Sequence, residues 1–295
     1  MESMLRNKKT IFLFLLPALL IYLAIVILPI LDSSFNSLFR WNLVDAKKFV
    51  GLDNFIRLFT MDDIFKTSLK NTFLLMAVSL VIQTPAAILL AIALSGKLKG
   101  GRYFKTVFFI PNILASVAVG LLWSFIYNPD FGIINRLLAG IGLVKFEGLW
   151  LADEKTVLGS IIVVLCWQFI GYHMLIYLAA VENIPQGLHE IATIDGANSW
   201  KRVWYLVLPL IKPMIAIDTV LMATGSLRFF DLIYVMSNGG PSHSSEVLAL
   251  YMYYKSFRDM QYGYGSAIAV VLLALCLLVA YLLGKIFRSE DIQYY

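Results

Sequence analysis

Cysteine is nearly absent from this chain of 295 residues: there are 2. Both, Cys166 and Cys276, fall inside apolar runs that predict helices, where a small packing residue is expected rather than a disulfide or a metal pair. Histidine is as scarce, with 3, and His173, His189 and His243 lie in separate segments with no ligand spacing, so no metal site is expected. Charge is thin as well. Asp, Glu, Lys and Arg make up 15% of the residues, where soluble domains carry about 25%, and that deficit excludes an ordinary soluble fold. No phosphate-binding loop is present. Gly96-Lys97 and Gly284-Lys285 lack the following hydroxyl residue and the upstream glycines of GxxxxGK[ST], so ATP hydrolysis by this chain is not expected. No period of about 20–50 residues recurs, which argues against a solenoid. No nucleophile or metal constellation of a membrane enzyme is visible.

What the chain has is apolar length. Hydrophobic residues are 60% of it, mean hydropathy is +0.78, and six runs reach the ~20 residues that cross a hydrocarbon core as helix. They are Ile11–Leu31, Thr72–Leu94, Thr106–Ile126, Val157–Ala180, Trp204–Phe230 and Ser266–Phe287. The expected fold class is therefore all-α integral membrane with six transmembrane helices, in one permeation domain over residues 1–295, with a first helix at 11–31 and a core over about 72–287. Pro209, Pro213, Asp218 and Gly225 interrupt the fifth run. The first run follows Arg6, Lys8 and Lys9, but it is too long for a signal peptide and lacks a small-x-small cleavage site, so a retained helix is expected.

The formal charge of +5 is explained by membrane topology and needs no nucleic acid. Cations concentrate in short segments: the N-terminus, the loop with Lys97, Lys99, Arg102 and Lys105, the loop with Lys201 and Arg202, and the tail with Lys285 and Arg288. The longer opposite loops hold most acids, including Asp45, Asp53, Asp62, Asp63, Asp130, Glu147, Asp153 and Glu154. The positive-inside rule then puts both termini in the cytoplasm.

One stretch, about residues 184–209, is polar and turn-forming among the apolar runs. Pro185 suits a helix start, and Leu188, Ile191 and Ile194 recur at three-residue spacing, giving a short amphipathic helix. Asp195-Gly196 is a strong turn pair. Asn198 or Ser199 can cap a second helix, and Trp200 to Pro209 runs from an interfacial aromatic and two cations into the bilayer. An ordinary surface helix in a loop would read the same way.

Within this stretch, Glu190, Ala192, Asp195, Gly196, Ala197, Leu206, Leu208 and Pro209 resemble the cytoplasmic coupling loop of inner-membrane permease subunits of ATP-binding-cassette importers. Ile191 stands where that pattern has alanine, and Val203 where an aromatic is common. GLDNFIRLF at 51–59, Asn71-Thr72, FFIPNILASVAVGLLW at 108–123, Gly132-Ile133-Ile134-Asn135 and RFFDLIYVMSNGGP at 228–241 look like the carbohydrate branch, which takes up maltose, other oligosaccharides and glycerol phosphates. The resemblance implies a coupling helix between the fourth and fifth spans, docked on an ATPase through Glu190, Ala192, Asp195, Gly196 and Ala197. It implies a second homologous permease, two ATPase subunits that bind ATP and Mg, an extracytoplasmic solute-binding protein and a carbohydrate substrate. No cofactor is expected in this chain, and a bacterial or archaeal inner membrane is implied. The alternative is an ion-coupled secondary transporter, for which repeated halves would be expected.

Polar groups inside membrane helices are costly and usually face an interior or a cavity. Gln83, Asn112, Gln168, Asp218 and Arg228 are therefore candidates for a substrate path, with Trp167 and Tyr172 (and Trp123) as aromatic faces. Gln168 and Tyr172, four apart, share a helix face. Interhelical hydrogen bonds, snorkelling and interfacial anchoring account for the same residue types. Asp218 needs a partner or a proton, and Lys212 is not on its face. Pro85, Pro111, Pro209 and Pro213 predict kinks.

Overall fold

The computed structural model describes residues 8–96, 99–143 and 148–287, with side chains from residue 11 onwards. Of the charges that set the expected orientation, Arg6, Lys97, Glu147 and Arg288 lie outside the described residues, as do the side chains of Lys8 and Lys9. The described chain is mostly helical, in the order α1 (8–36), β1 (Phe39–Arg40), β2 (Lys48–Phe49), α2 (Asp53–Thr60), α3 (Asp63–Ser95), α4 (Gly101–Ile113), α5 (Ser116–Ile126), α6 (Ile133–Gly140), α7 (Val157–Glu182), α8 (Gln186–Ile194), α9 (199–227), α10 (Asp231–Met236), α11 (248–258) and α12 (Tyr262–Ile286). The strands pair antiparallel, Phe39 opposite Phe49 and Arg40 opposite Lys48.

Among the described residues, five helices are long and apolar enough to cross a membrane: α1, α3, α7, α9 with its continuation to Met236, and α12. The expected third span is different. The run Thr106–Ile126 is broken into α4 and α5, which meet at 98°, so a sixth crossing exists only if that bent pair is one span. Leu114 and Ala115 leave the helical region with ψ of 141° and 131°. Pro111 lies in the last turn of α4 and has no N–H to donate to the carbonyl of Val107, which weakens the turn just before the break. Hydropathy alone does not register such a break, because the residues on both sides of it are apolar.

Other prolines are accommodated without breaking the helix. Pro29, Pro85 and Pro209 each stand two residues beyond a wide π turn, at Leu23–Ile27, Ser79–Gln83 and Val203–Val207. A proline ring collides with the carbonyl four residues back, here those of Ile25, Val81 and Tyr205, and the widened turn opens the space that the ring needs. Pro213 is held inside α9.

The helices group into two compact units. Among the described residues, one comprises 8–62 together with 251–273. There, buried Asn54 donates to the carbonyls of Ser37 and Phe39 at 2.8 and 3.0 Å, which pins the turn between α1 and β1. Asp62 accepts from the hydroxyls of Tyr251 and Tyr264, each at 2.5 Å. The 51–59 motif is thus a local packing element, with Asn54 and Leu58 as its buried residues.

The second unit comprises the described residues within 63–250 and 274–287, and α7 is its central pillar. Ala87 and Ala91 of α3 pack on Met174, Tyr177 and Leu178 of α7. Asn71 donates to the carbonyls of Ser244 and Glu246, both at 2.9 Å, and the Thr72 hydroxyl accepts from the Leu248 N–H at 3.0 Å, so the Asn71-Thr72 pair fastens the loop after α10. Asn135 accepts from the Trp150 indole N–H at 2.7 Å and from the Gly148 N–H at 3.3 Å, closing the segment after α6.

Helix α4 lies so close to α7 that a Cβ at Gly171 would meet the Phe108 carbonyl oxygen at 1.9 Å. Because the obstacle is backbone, it has no rotamer by which to withdraw. Gly171→Ala is expected to cost about 1–3 kcal/mol, the usual range for overpacking. Gly159→Ala on the same helix, where a Cβ meets nothing within 4 Å, should leave stability unchanged or slightly raised. Thermal unfolding of the two variants in detergent checks this: equal melting temperatures would contradict it.

Candidate functional site

A cavity of about 310 Å³ opens among α3, α4, α7 and α9. Gln83 reaches it from the end of the wide turn in α3, Asn112 from the last turn of α4, and Leu165, Phe169, Tyr172 and His173 from α7. Leu221, Met222, Gly225 and Ser226 line it from α9, and Phe229 from just beyond that helix. The spacing on α7 follows from helical geometry, since 165, 169, 172 and 173 return to one face every three to four residues. Phe169 and Phe229 meet edge to face at 6.1 Å, so part of the lining is an aromatic pair.

Behind this wall lies the buried carboxylate of Asp218, with 0% exposure. Nδ1 of His173 is 2.8 Å from Oδ1 of Asp218, and with the carboxylate ionised the imidazole N–H is the donor. Oδ2 of Asp218 and the Tyr177 hydroxyl are both buried without a hydrogen bond of ordinary geometry, although Tyr177 faces Asp218 and Thr84 closely enough to interact with them. The Thr84 hydroxyl also contacts the Met222 sulfur at 3.4 Å. His173 and Tyr177 are four apart on α7, and Asp218 and Met222 four apart on α9, so two helix faces meet in this polar cluster. His173 supplies the partner that Asp218 requires.

The cavity gathers Gln83, Asn112 and Tyr172, and Asp218 stands behind it. The other candidates lie elsewhere. Gln168 is buried and points to the α4–α5 break, with long contacts to the Leu114 carbonyl and the Ser116 hydroxyl at 3.4 and 3.5 Å. It therefore diverges from Tyr172 despite the four-residue spacing. Trp167 meets Trp123 edge to face at 5.4 Å, and the line of rings continues through Tyr127 to Trp150. Arg228 donates from Nε to the Thr224 carbonyl at 3.2 Å and caps the C-terminus of α9. His173 was not among the candidates. The available signal was that it is the one histidine inside an apolar run.

A second feature lies between α7 and α9. Pro185 stands one residue before α8, with ψ of 131°, and the helix begins at Gln186. Its end is closed by Ala197 N–H donating to the Ala192 carbonyl at 2.9 Å, while Gly196 takes φ of +73°, a Schellman-type stop that favours glycine. Of the two proposed caps it is Asn198 that acts: its Oδ1 accepts from the Lys201 N–H at 2.8 Å. Glu190, Asp195 and Gly196 are exposed and Ala192 and Ala197 half-buried. Ile191 and Ile194 are 56% and 84% exposed and Leu188 is half-buried, so the outer part of the apolar stripe of α8 is uncovered by the described residues. Glu190 and Arg202 line one shallow groove.

Membrane-length helices are broken and widened around a cavity, with an ionisable pair that reaches it only through His173, as suits a membrane transport protein. The chain belongs to the family of binding-protein-dependent transport system inner membrane components, whose sequence profile matches residues 83–289. It is 37% identical over 96% of its length, and 98% of the other's, to the probable ABC transporter permease protein YurN of Bacillus subtilis. It is 33% identical to the lactose transport system permease protein LacF of Rhizobium radiobacter, covering 92% and 91% of the two chains. To the trehalose/maltose transport system permease protein MalF of Thermococcus litoralis it is 31% identical, covering 97% and 96%. The crystal structure of a bacterial alginate ABC transporter contains a chain that superimposes with a TM-score of 0.84 over 97% of this one and 96% of its own length, at 24% identity. The fold is shared at that distance.

The pair between α7 and α9 carries a measurable consequence. Removing one partner of a buried ion pair costs about 3–5 kcal/mol because the other charge is stranded, whereas replacing both by apolar groups is often near neutral. His173→Leu is therefore expected to lower the melting temperature more than His173→Leu combined with Asp218→Leu. A double variant less stable than the single one would contradict the pairing.

Proposed function

We propose that this chain is the membrane-spanning permease subunit of an ATP-driven, binding-protein-dependent importer of a carbohydrate. Its relatives named for lactose, diacetylchitobiose and trehalose/maltose transport support the substrate class. The observation that carries the mechanism is the exposed helix α8 with its glycine stop and uncovered isoleucines, placed between two helices that line the cavity. On this reading α8 is the coupling helix. Glu190 offers its carboxylate to a cation of the ATPase, Ala192 and Ala197 keep the contact surface low, and Asp195-Gly196 turns the chain sharply against the partner. Closure of two ATPase subunits, which bind ATP and Mg, displaces α8 and drives alternating access.

The functional unit is one permease domain over the whole chain, paired with a second homologous permease and fed by an extracytoplasmic solute-binding protein, with both termini in the cytoplasm. Gln83, Asn112, Tyr172 and the Asp218-supported wall form the substrate path of this half. Trp167, Gln168 and Arg228 serve it indirectly, through ring packing, the α4–α5 break and the end of α9.

The test is reconstitution with the second permease, binding protein and ATPase, measuring sugar-stimulated ATP hydrolysis and uptake. Losing one partner of a desolvated charge contact costs about 2–5 kcal/mol. Glu190→Lys with Gly196→Asp should therefore depress both activities at least about tenfold, with the ATPase lost on copurification and the binding protein's affinity for sugar unchanged. Uptake that persists without ATP, or is indifferent to these changes, would favour an ion-coupled carrier.

A further inference from the structure

The cavity wall contains no Lys, Arg, Asp or Glu. Arg228, next in sequence to the lining Phe229, is not among the lining residues, and its Nε is turned to the Thr224 carbonyl. Behind the wall Asp218 is paired with His173. Lys212, the nearest cation on α9 by sequence, is exposed and six residues away. A carboxylate, sulfate or phosphate on a ligand would find no counter-ion among the lining residues and would be left desolvated and unpaired.

The polar side chains of the lining residues suit hydroxyls. His173 has Nδ1 engaged with Asp218, so Nε2 is the ring nitrogen left to a ligand, and in the neutral ring it is an acceptor. Gln83 is 1% exposed and its side-chain nitrogen has no partner, leaving a buried donor at the same wall. A hydroxyl both donates and accepts, and so satisfies an uncharged acceptor beside an uncharged donor. Phe169, Tyr172 and Phe229 supply apolar faces for the C–H side of a ring. The volume, about 310 Å³, sits at the small end of the roughly 300–1,000 Å³ of ligand pockets.

From this geometry we infer that the cavity takes one neutral sugar unit, with Asp218 orienting His173 to accept from a hydroxyl, Gln83 donating to it, and a lining without a cation selecting against acidic sugars. The inference rests on the reading of the chain as a carbohydrate permease and adds the charge class of its substrate. It also separates this chain from its structural neighbour: the fold is shared with a transporter of acidic alginate, and this wall lacks the cation such a ligand would call for.

The test uses the assembled permease and ATPase complex without binding protein, so that selectivity belongs to the permease. Its thermal unfolding is measured with maltose, lactose and trehalose and with di- and trigalacturonate, each up to high millimolar concentration. Ligands that bind only the folded state raise the melting temperature. Uptake of the same sugars by the full system, binding protein included, is measured alongside. A melting-temperature rise with at least one neutral sugar and none with the galacturonates is expected. Gln83→Leu and His173→Ala should each weaken the apparent affinity about tenfold, the equivalent of one lost hydrogen bond of about 1.4 kcal/mol. Gln83→Leu keeps the test valid should His173→Ala fold poorly. Galacturonates that stabilise as well as neutral sugars, or an affinity unmoved by Gln83→Leu, would overturn the inference and leave the carbohydrate reading intact. A full system that moves no sugar but another solute would overturn both.

Discussion

In hydrocarbon every backbone N–H and C=O must be satisfied inside the protein, and each one left unpaired costs several kcal/mol. That constraint makes the chain helical, and it gives the departures from helix their meaning. Leu114 and Ala115 abandon the helix between α4 and α5, and the Gln168 side chain reaches toward the freed Leu114 carbonyl. The prolines at 29, 85 and 209 are taken up by wide turns that keep the helix continuous. The cavity is built from such places. Gln83 closes a wide turn, Asn112 belongs to the last turn before the break, and Phe229 follows the end of α9 at Leu227. Straight helices would have packed this space shut. Gly171 allows it to be walled at all, because only a residue without Cβ admits the Phe108 carbonyl against α7.

The second constraint is electrostatic. A carboxylate with no exposed surface in a membrane helix must be paired, hydrogen-bonded or protonated. Asp218 is met by His173 across the α7–α9 interface, so the charge that would be hardest to bury becomes a fixed reference for the ring that faces the cavity. An apolar pair of the same volume would pack these helices with less penalty.

Much of this was readable from residues alone, and the failures have definite causes. Membrane runs reveal themselves because burial in lipid demands about 20 apolar residues regardless of context. Their ends do not: α3 starts at Asp63, well ahead of the apolar run beginning at Thr72, since hydropathy marks the hydrocarbon and helices extend past it. The bend in 106–126 was hidden because extended backbone at Leu114 and Ala115 uses residues as apolar as their neighbours. The stop of α8 was legible, because a Gly stop and an Asn cap are local chemistry written in adjacent residues. The partner of Asp218 was not, since it lies 45 positions away on another helix. The four-residue spacing of Gln168 and Tyr172 misled for a related reason: helix periodicity fixes direction only to within a broad arc, and α4 ends between the two side chains' targets.

The exposed helix and the cavity are connected by the shortest routes the chain offers. Residues 183–185 join α8 to α7 and residues 195–198 join it to α9. These are the two helices that carry His173 and Asp218. A displacement applied to α8 would therefore enter both sides of the buried pair at once, through connections too short to absorb it, with Gly196 fixing one corner and the Asn198 cap making the start of α9 rigid. The wide turn at Val203–Val207 is then the first point along α9 where the helix can yield, and it lies between the cap and the cavity. A shift delivered there would change the angle at which Asp218 and Ser226 approach α7, and the orientation of His173 with it. On that geometry α8 and the polar cluster beside the cavity are joined through both helices that form the cluster.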